Sequence, residues 1–146
     1  MKKILTTLAL VLTITTMYAF KGEEAVNSQA LRSFNRDFVG ATDASWTAGR
    51  GFYKVTFSMN DQQLSAFYNT DGEFMAVARN ISSFQLSLNL QRSLKKSYSN
   101  YWISDLFEMN NEEGTSYYVT LESADVKIIL KSNGSGWSVY QKMQKA

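Results

Sequence analysis

A repeated hairpin constrains this chain of 146 residues more than any other feature. The stretch "LSAFYNTDG" (residues 64–72) alternates apolar and polar positions and ends in Thr70-Asp71-Gly72. The same pattern returns as "VKIILKSNG" (residues 126–134), ending in Ser132-Asn133-Gly134. Just upstream, "FYKVTF" (52–57) aligns with "SYYVTL" (116–121) at an offset of 64, placing Val55-Thr56 on Val119-Thr120. The hairpins themselves align at an offset of 62, with Leu64, Ala66 and Tyr68 over Val126, Ile128 and Leu130.

A helical pattern precedes each set of strands. Val26, Ala30, Phe34 and Phe38 recur every four residues, and Gly40 supplies a stop signal. Leu86, Leu90, Leu94 and Tyr98 do the same in the second half, with Arg92, Lys95 and Lys96 off that stripe. A two-stranded hairpin alone is marginal in water, so the units must bury their apolar sides together. The expected fold is α+β: a tandem repeat (about 26–80 and 86–143) forming one continuous antiparallel sheet of about eight strands, with two helices packed on one face.

Strand alternation assigns the faces. Tyr53, Val55, Phe57 and Met59 share the helix-facing side, as do Tyr117, Val119 and Leu121; Leu64, Ala66, Tyr68, Val126, Ile128 and Leu130 extend it. Met75, Val77, Trp137 and Val139 are expected to complete it. Two more strands, around 45–48 and 104–109, have ambiguous facing. Residues 60–62 and the turns at Gly72 and Gly134 suit antiparallel hairpins, because glycine takes positive φ without strain at Cβ.

Residues 1–19 have the order of a cleavable export signal: Lys2 and Lys3, the apolar run "ILTTLALVLTITTM", then the small residue Ala19. The run is about 14 residues, short of the roughly 20 that a spanning helix needs. With no cysteine, a lipid anchor on cysteine is excluded. The expected mature domain is 20–146, periplasmic or secreted, with membrane contact only during export. Of the 15 basic residues, Lys2 and Lys3 leave with the signal, so the remaining bases equal the 13 acids. No global basic field is left to attract nucleic acid.

Cysteine and histidine are both absent, which removes the usual zinc ligands and the Cys-His and Ser-His-Asp nucleophile systems. The carboxylates Asp71, Glu73, Asp105, Glu108, Glu112, Glu113, Glu122 and Asp125 fall chiefly on turns and strand edges, where charge discourages edge pairing. A hydrolase using a carboxylate pair is therefore the weaker reading. "NTDG" lacks the acidic first ligand and closing glutamate of a calcium loop and reads as a turn. Trp46, Trp102 and Trp137 read as packing residues rather than a sugar platform. Arg92, Lys95 and Lys96 are an ordinary solvated helix face. No cofactor or metal is expected.

The remaining signal is the sheet face away from the helices. Alternation sends Phe52, Lys54, Thr56, Phe67, Phe74, Tyr118, Lys127, Ile129, Lys131 and Tyr140 there. Aromatics interleaved with lysines are favoured interface material. The face is therefore expected to bind a protein or peptide of the cell envelope. The alternatives are aromatic pairs that only stabilise the sheet, and self-association.

The combination of a helix ending near a tyrosine, "SYSNYWISDLFEM", "TSYYVTLE" and "VKIILKSNGSGW" resembles the PepSY pattern, and its doubling with "FYKVTF" and "AFYNTDGEF" is similar to secreted bacterial PepSY-like proteins of the β-lactamase-inhibitor-protein-like fold. The resemblance covers roughly residues 26–141. It departs at the second helix start, where Leu86 is followed by Ser87 instead of proline; serine can cap a helix there. The resemblance implies a noncatalytic exported binding domain, with inhibition or regulation of a peptidase among the implied roles.

Overall fold

The computed structural model describes residues 20–21 and 25–146; the expected export signal lies outside the described residues. In chain order the elements are β1 (Phe20–Lys21), α1 (Ser28–Asp37), β2 (Thr42–Gly49), β3 (Phe52–Met59), β4 (Gln62–Asn69) and β5 (Phe74–Asn80). A 3-10 turn (Ser83–Gln85) then leads to α2 (Leu88–Ser97), β6 (Trp102–Asn111), β7 (Gly114–Glu122), β8 (Val126–Ser132) and β9 (Ser138–Gln144). The strands follow chain order in one open antiparallel sheet, eight long strands plus the two-residue β1, so the α+β expectation holds. The chain divides into two compact units between Val77 and Ala78, inside β5.

In the first unit, Asn27 caps α1 by accepting the Ala30 N–H at 2.8 Å, and the chain leaves the helix through Gly40 at φ 90°. The expected stripe is buried: Val26, Ala30 and Phe34 pack with Trp46, Val55, Phe57, Ala66 and Tyr68. Trp46 settles the facing of β2, which points its indole at the helix. Asn60 and Asp61 both take positive φ, 52° and 60°, the geometry that a two-residue hairpin turn with the right-handed strand twist requires.

The second unit repeats this order with different side chains. Ser87 caps α2 by accepting the Leu90 N–H at 3.3 Å, the role expected for serine where the PepSY pattern has proline. Leu86, Leu90 and Leu94 pack with Leu106, Val119, Leu121, Ile128 and Leu130. Leu106 settles the facing of β6, and Trp137 donates its indole N–H to the Leu90 carbonyl at 3.1 Å. Val139 pairs with Leu130 but is largely exposed, contrary to the expected core position.

The first glycine turn overturns one facing assignment. The Asn69 N–H bonds the Glu73 carbonyl at 2.9 Å, which encloses three residues, Thr70, Asp71 and Gly72. Asn69 Oδ1 also accepts from the Asp71 and Glu73 N–H groups. An odd loop of this kind flips every later side chain relative to an even one. Phe74 therefore faces the helix side, its ring 5.9 Å from Tyr68 and 6.3 Å from Phe38. The expected pair Met75 and Val77 alternate to the other side.

Candidate interaction face

The face turned away from the helix carries apolar groups in both units, and their burial differs from what alternation alone implied. Phe52, Phe67, Tyr118 and Ile129 lie outside the helix-side clusters, as expected for the second face, yet all four are buried. They are floor, not protruding anchors. Phe74 is absent from this face altogether, for the reason given above.

Local geometry accounts for the burial in the first unit. Phe52 sits opposite Gly49 across the β2–β3 pair, and its ring lies over that glycine so closely that a Cβ there would collide with Cζ. Phe67 flanks it at 6.3 Å. The ring covers bare backbone that no side chain at Gly49 shields. Lys54, paired with Phe67 across the β3–β4 ladder, is half-buried between the same strands.

The second unit holds the larger cluster. Phe107 stacks on Tyr118 at 5.1 Å and 15°, and Tyr140 meets the same ring edge-on at 5.7 Å. The Lys131 ammonium stands 5.7 Å from the Tyr118 centroid. Such ring pairs contribute about 0.5–1.5 kcal/mol each beyond area burial. Together they leave Tyr118 only 1% exposed. The β8–β9 register shifts between Ile129 and Leu130, which pair with Gln141 and Val139 and leave Tyr140 as the extra residue between them. Lys127 and Ile129 lie on adjacent β8 positions of the same face, Lys127 half-buried opposite Glu122.

Sequence reasoning missed Phe107 because the facing of its strand was open. The signal was Leu106, which answers Trp46 when the α1–β2 spacing is laid on α2–β6; its neighbour must then point the other way.

One polar atom on this face lacks a partner. The Tyr118 hydroxyl is the buried side-chain oxygen without a hydrogen bond among the described residues. Burial, then the Tyr140 and Glu113 charges, push its pKa well above the usual phenol range. The Tyr68 hydroxyl is raised too, by burial first and then by Asp37, to which it donates at 3.3 Å. A raised phenol pKa stabilises the fold below the unfolded value of about 10, and that contribution is lost as pH rises above it. Stability is expected to fall from about pH 10 upward. Absorbance at 295 nm should show the two buried phenols ionising only together with loss of far-UV ellipticity; free titration of all tyrosines in the folded state would contradict the burial.

Beside the cluster, an open cleft of about 610 Å³ is lined by Lys131, Ser132, Asn133, Trp137, Ser116 and Glu113, among others. A smaller cleft of about 330 Å³ lies between Asn80–Ser83 and Ile103–Leu106, with Asp105 in its wall. Neither lining pairs two carboxylates, and no group of three metal-ligating side chains occurs among the described residues.

An open antiparallel sheet with one helix packed on each of two successive units defines a fold, and solved structures share it. A BLIP-like protein from Bacteroides fragilis is similar over 82% of this chain and 86% of its own, at 15% identity and a TM-score of 0.66. A DUF2874 family protein from Bacteroides ovatus covers 82% and 87% at 14% identity, TM-score 0.71. A candidate periplasmic protein from Bacteroides eggerthii covers 82% and 88% at 11% identity, TM-score 0.71. The fold is therefore BLIP-like. No family model matches the sequence, and no curated protein matches it.

Proposed function

We propose that this chain is an exported, noncatalytic binding domain of the PepSY-like kind, which holds a segment of an envelope protein or peptide against the second face of its C-terminal unit. The observation that carries this reading is the Tyr118 hydroxyl, buried without an acceptor in a cluster of rings and lysine. An unsatisfied buried donor costs about 1–3 kcal/mol, a cost that a partner's carbonyl or carboxylate would remove. Tyr118 and Ile129 form the floor. Phe107, Tyr140, Lys127 and Lys131, all half-buried, supply the reachable rim. In the N-terminal unit, Phe52 and Phe67 are the corresponding floor, with Lys54 beside them.

Export is supported by the composition of residues 1–19 and by the fold shared with a candidate periplasmic protein. Restraint of a peptidase or another envelope enzyme is the finer role this reading carries. The two clefts described each carry a single carboxylate, Glu113 in one and Asp105 in the other, which lends no support to hydrolysis by a carboxylate pair.

Tyr118→Phe provides the test, because stability and binding should move in opposite directions. Without its hydroxyl the free protein is expected to gain about 1 kcal/mol in urea unfolding. Capture of the partner from envelope extract should drop, and Tyr140→Ala/Lys131→Gln should abolish it. A variant that is less stable, or that recovers every partner as well as the wild type does, would sink the proposal.

A further inference from the structure

The outward side of α2 carries a bared leucine and three basic side chains. Leu90 and Leu94 are buried against the sheet, which directs Leu88, Arg92, Lys95 and Lys96 to the opposite side at 3.6-residue spacing. Leu88 is 76% exposed, and Phe84 in the preceding 3-10 turn is 87% exposed. These two large apolar side chains, one opening α2 and the other in the turn that leads into it, contribute nothing to the core. Beyond them Arg92, Lys95 and Lys96 form no ion pair among the described residues. Residues 81–104 contain these three bases and no aspartate or glutamate. Asp105, at the edge of this stretch, accepts a hydrogen bond from the Asn80 amide at 2.8 Å.

We infer that this face docks on an anionic phospholipid surface, with Phe84 and Leu88 entering the headgroup boundary and Arg92, Lys95 and Lys96 meeting lipid phosphates. Charge complementarity selects the occupant: three unpaired cations beside bared apolar side chains match an interface that is negative at its surface and apolar just beneath. Long basic side chains can lie along the apolar layer while keeping their charges at the phosphates. This lasting contact goes beyond the passage through a membrane expected during export, and it leaves the second sheet face free for a partner.

Flotation with vesicles tests it, using the protein purified from cells with its N-terminus established by mass spectrometry. Wild type should float with equimolar phosphatidylglycerol–phosphatidylcholine vesicles, far less with phosphatidylcholine alone, and less at high salt. Arg92→Gln/Lys95→Gln/Lys96→Gln is expected to weaken the anionic partitioning on the order of a hundredfold, and Phe84→Ser/Leu88→Ser about tenfold. All five positions are solvent-facing, and unchanged circular dichroism would confirm that both variants fold. Each carries the wild-type N-terminus, so any contribution from that segment cancels in the comparison. Equal flotation of the variants and the wild type, or no preference for anionic vesicles, would overturn the inference. So would competition by soluble polyglutamate as effective as by vesicles, which would point to an acidic protein.

Discussion

Gly72→Ala is expected to destabilise the protein by about 2–5 kcal/mol, whereas Gly134→Ala, its counterpart in the repeated hairpin, should cost only about 1–2 kcal/mol. Both glycines hold positive φ, 82° and 106°, so both substitutions carry the left-handed backbone penalty of about 1–2 kcal/mol. Only Gly72 also lies under a helix. A Cβ there would stand 2.7 Å from the Ala30 nitrogen and 2.7 Å from the Gln29 carbonyl carbon, both backbone atoms. The start of α1 would have to move, at a further overpacking cost of about 1–3 kcal/mol. Such movement also strains the hydrogen bond from the buried Ser33 hydroxyl to the Gly72 carbonyl, 2.7 Å long. At Gly134 an added Cβ would meet nothing within 4 Å. Urea midpoints of the two variants decide the matter: equal losses would mean that the contact between turn and helix carries no weight.

Phe34→Ala is expected to cost about 3–5 kcal/mol, the range for emptying a buried phenylalanine site. Its ring is the hub of the N-terminal core, 5.0 Å from Phe57, 5.5 Å from Trp46 and 5.7 Å from Phe38. Large rigid neighbours fill a vacated volume poorly, which favours the upper part of that range. The matching position in the second unit is Leu94, among aliphatic side chains that can close in, so Leu94→Ala should fall near the lower end, about 2–3 kcal/mol. Urea unfolding followed by far-UV circular dichroism measures both. A Phe34→Ala loss no larger than that of Leu94→Ala would contradict the ring cluster as the organising contact. Near-UV ellipticity from Trp46 should fall in the first variant only.

Much of this architecture was legible because its determinants are local. The four-residue spacing of Val26, Ala30 and Phe34, and of Leu86, Leu90 and Leu94, reports which side of a helix must leave water, and both stripes are buried. Alternation through Tyr53, Val55 and Phe57 reports one side of a strand in the same way. The hairpin echo at Gly72 and Gly134 announced two units. What failed was the count across a turn. Whether two or three residues cross from β4 to β5 depends on how Asn69 bonds to Glu73, and that parity moved Phe74 from the expected interaction face into the core.

The sequence by itself determined the order of the helices and long strands, the buried helix stripes and the chemistry excluded by a chain without histidine or cysteine. Only the tertiary structure decided which aromatics are reachable, because exposure depends on neighbours remote in the chain. Phe52 is covered by lying across Gly49, and Tyr118 by Phe107 and Tyr140 from two other strands. Periodicity tells a side chain which way to point; the packing of other strands decides whether water still reaches it.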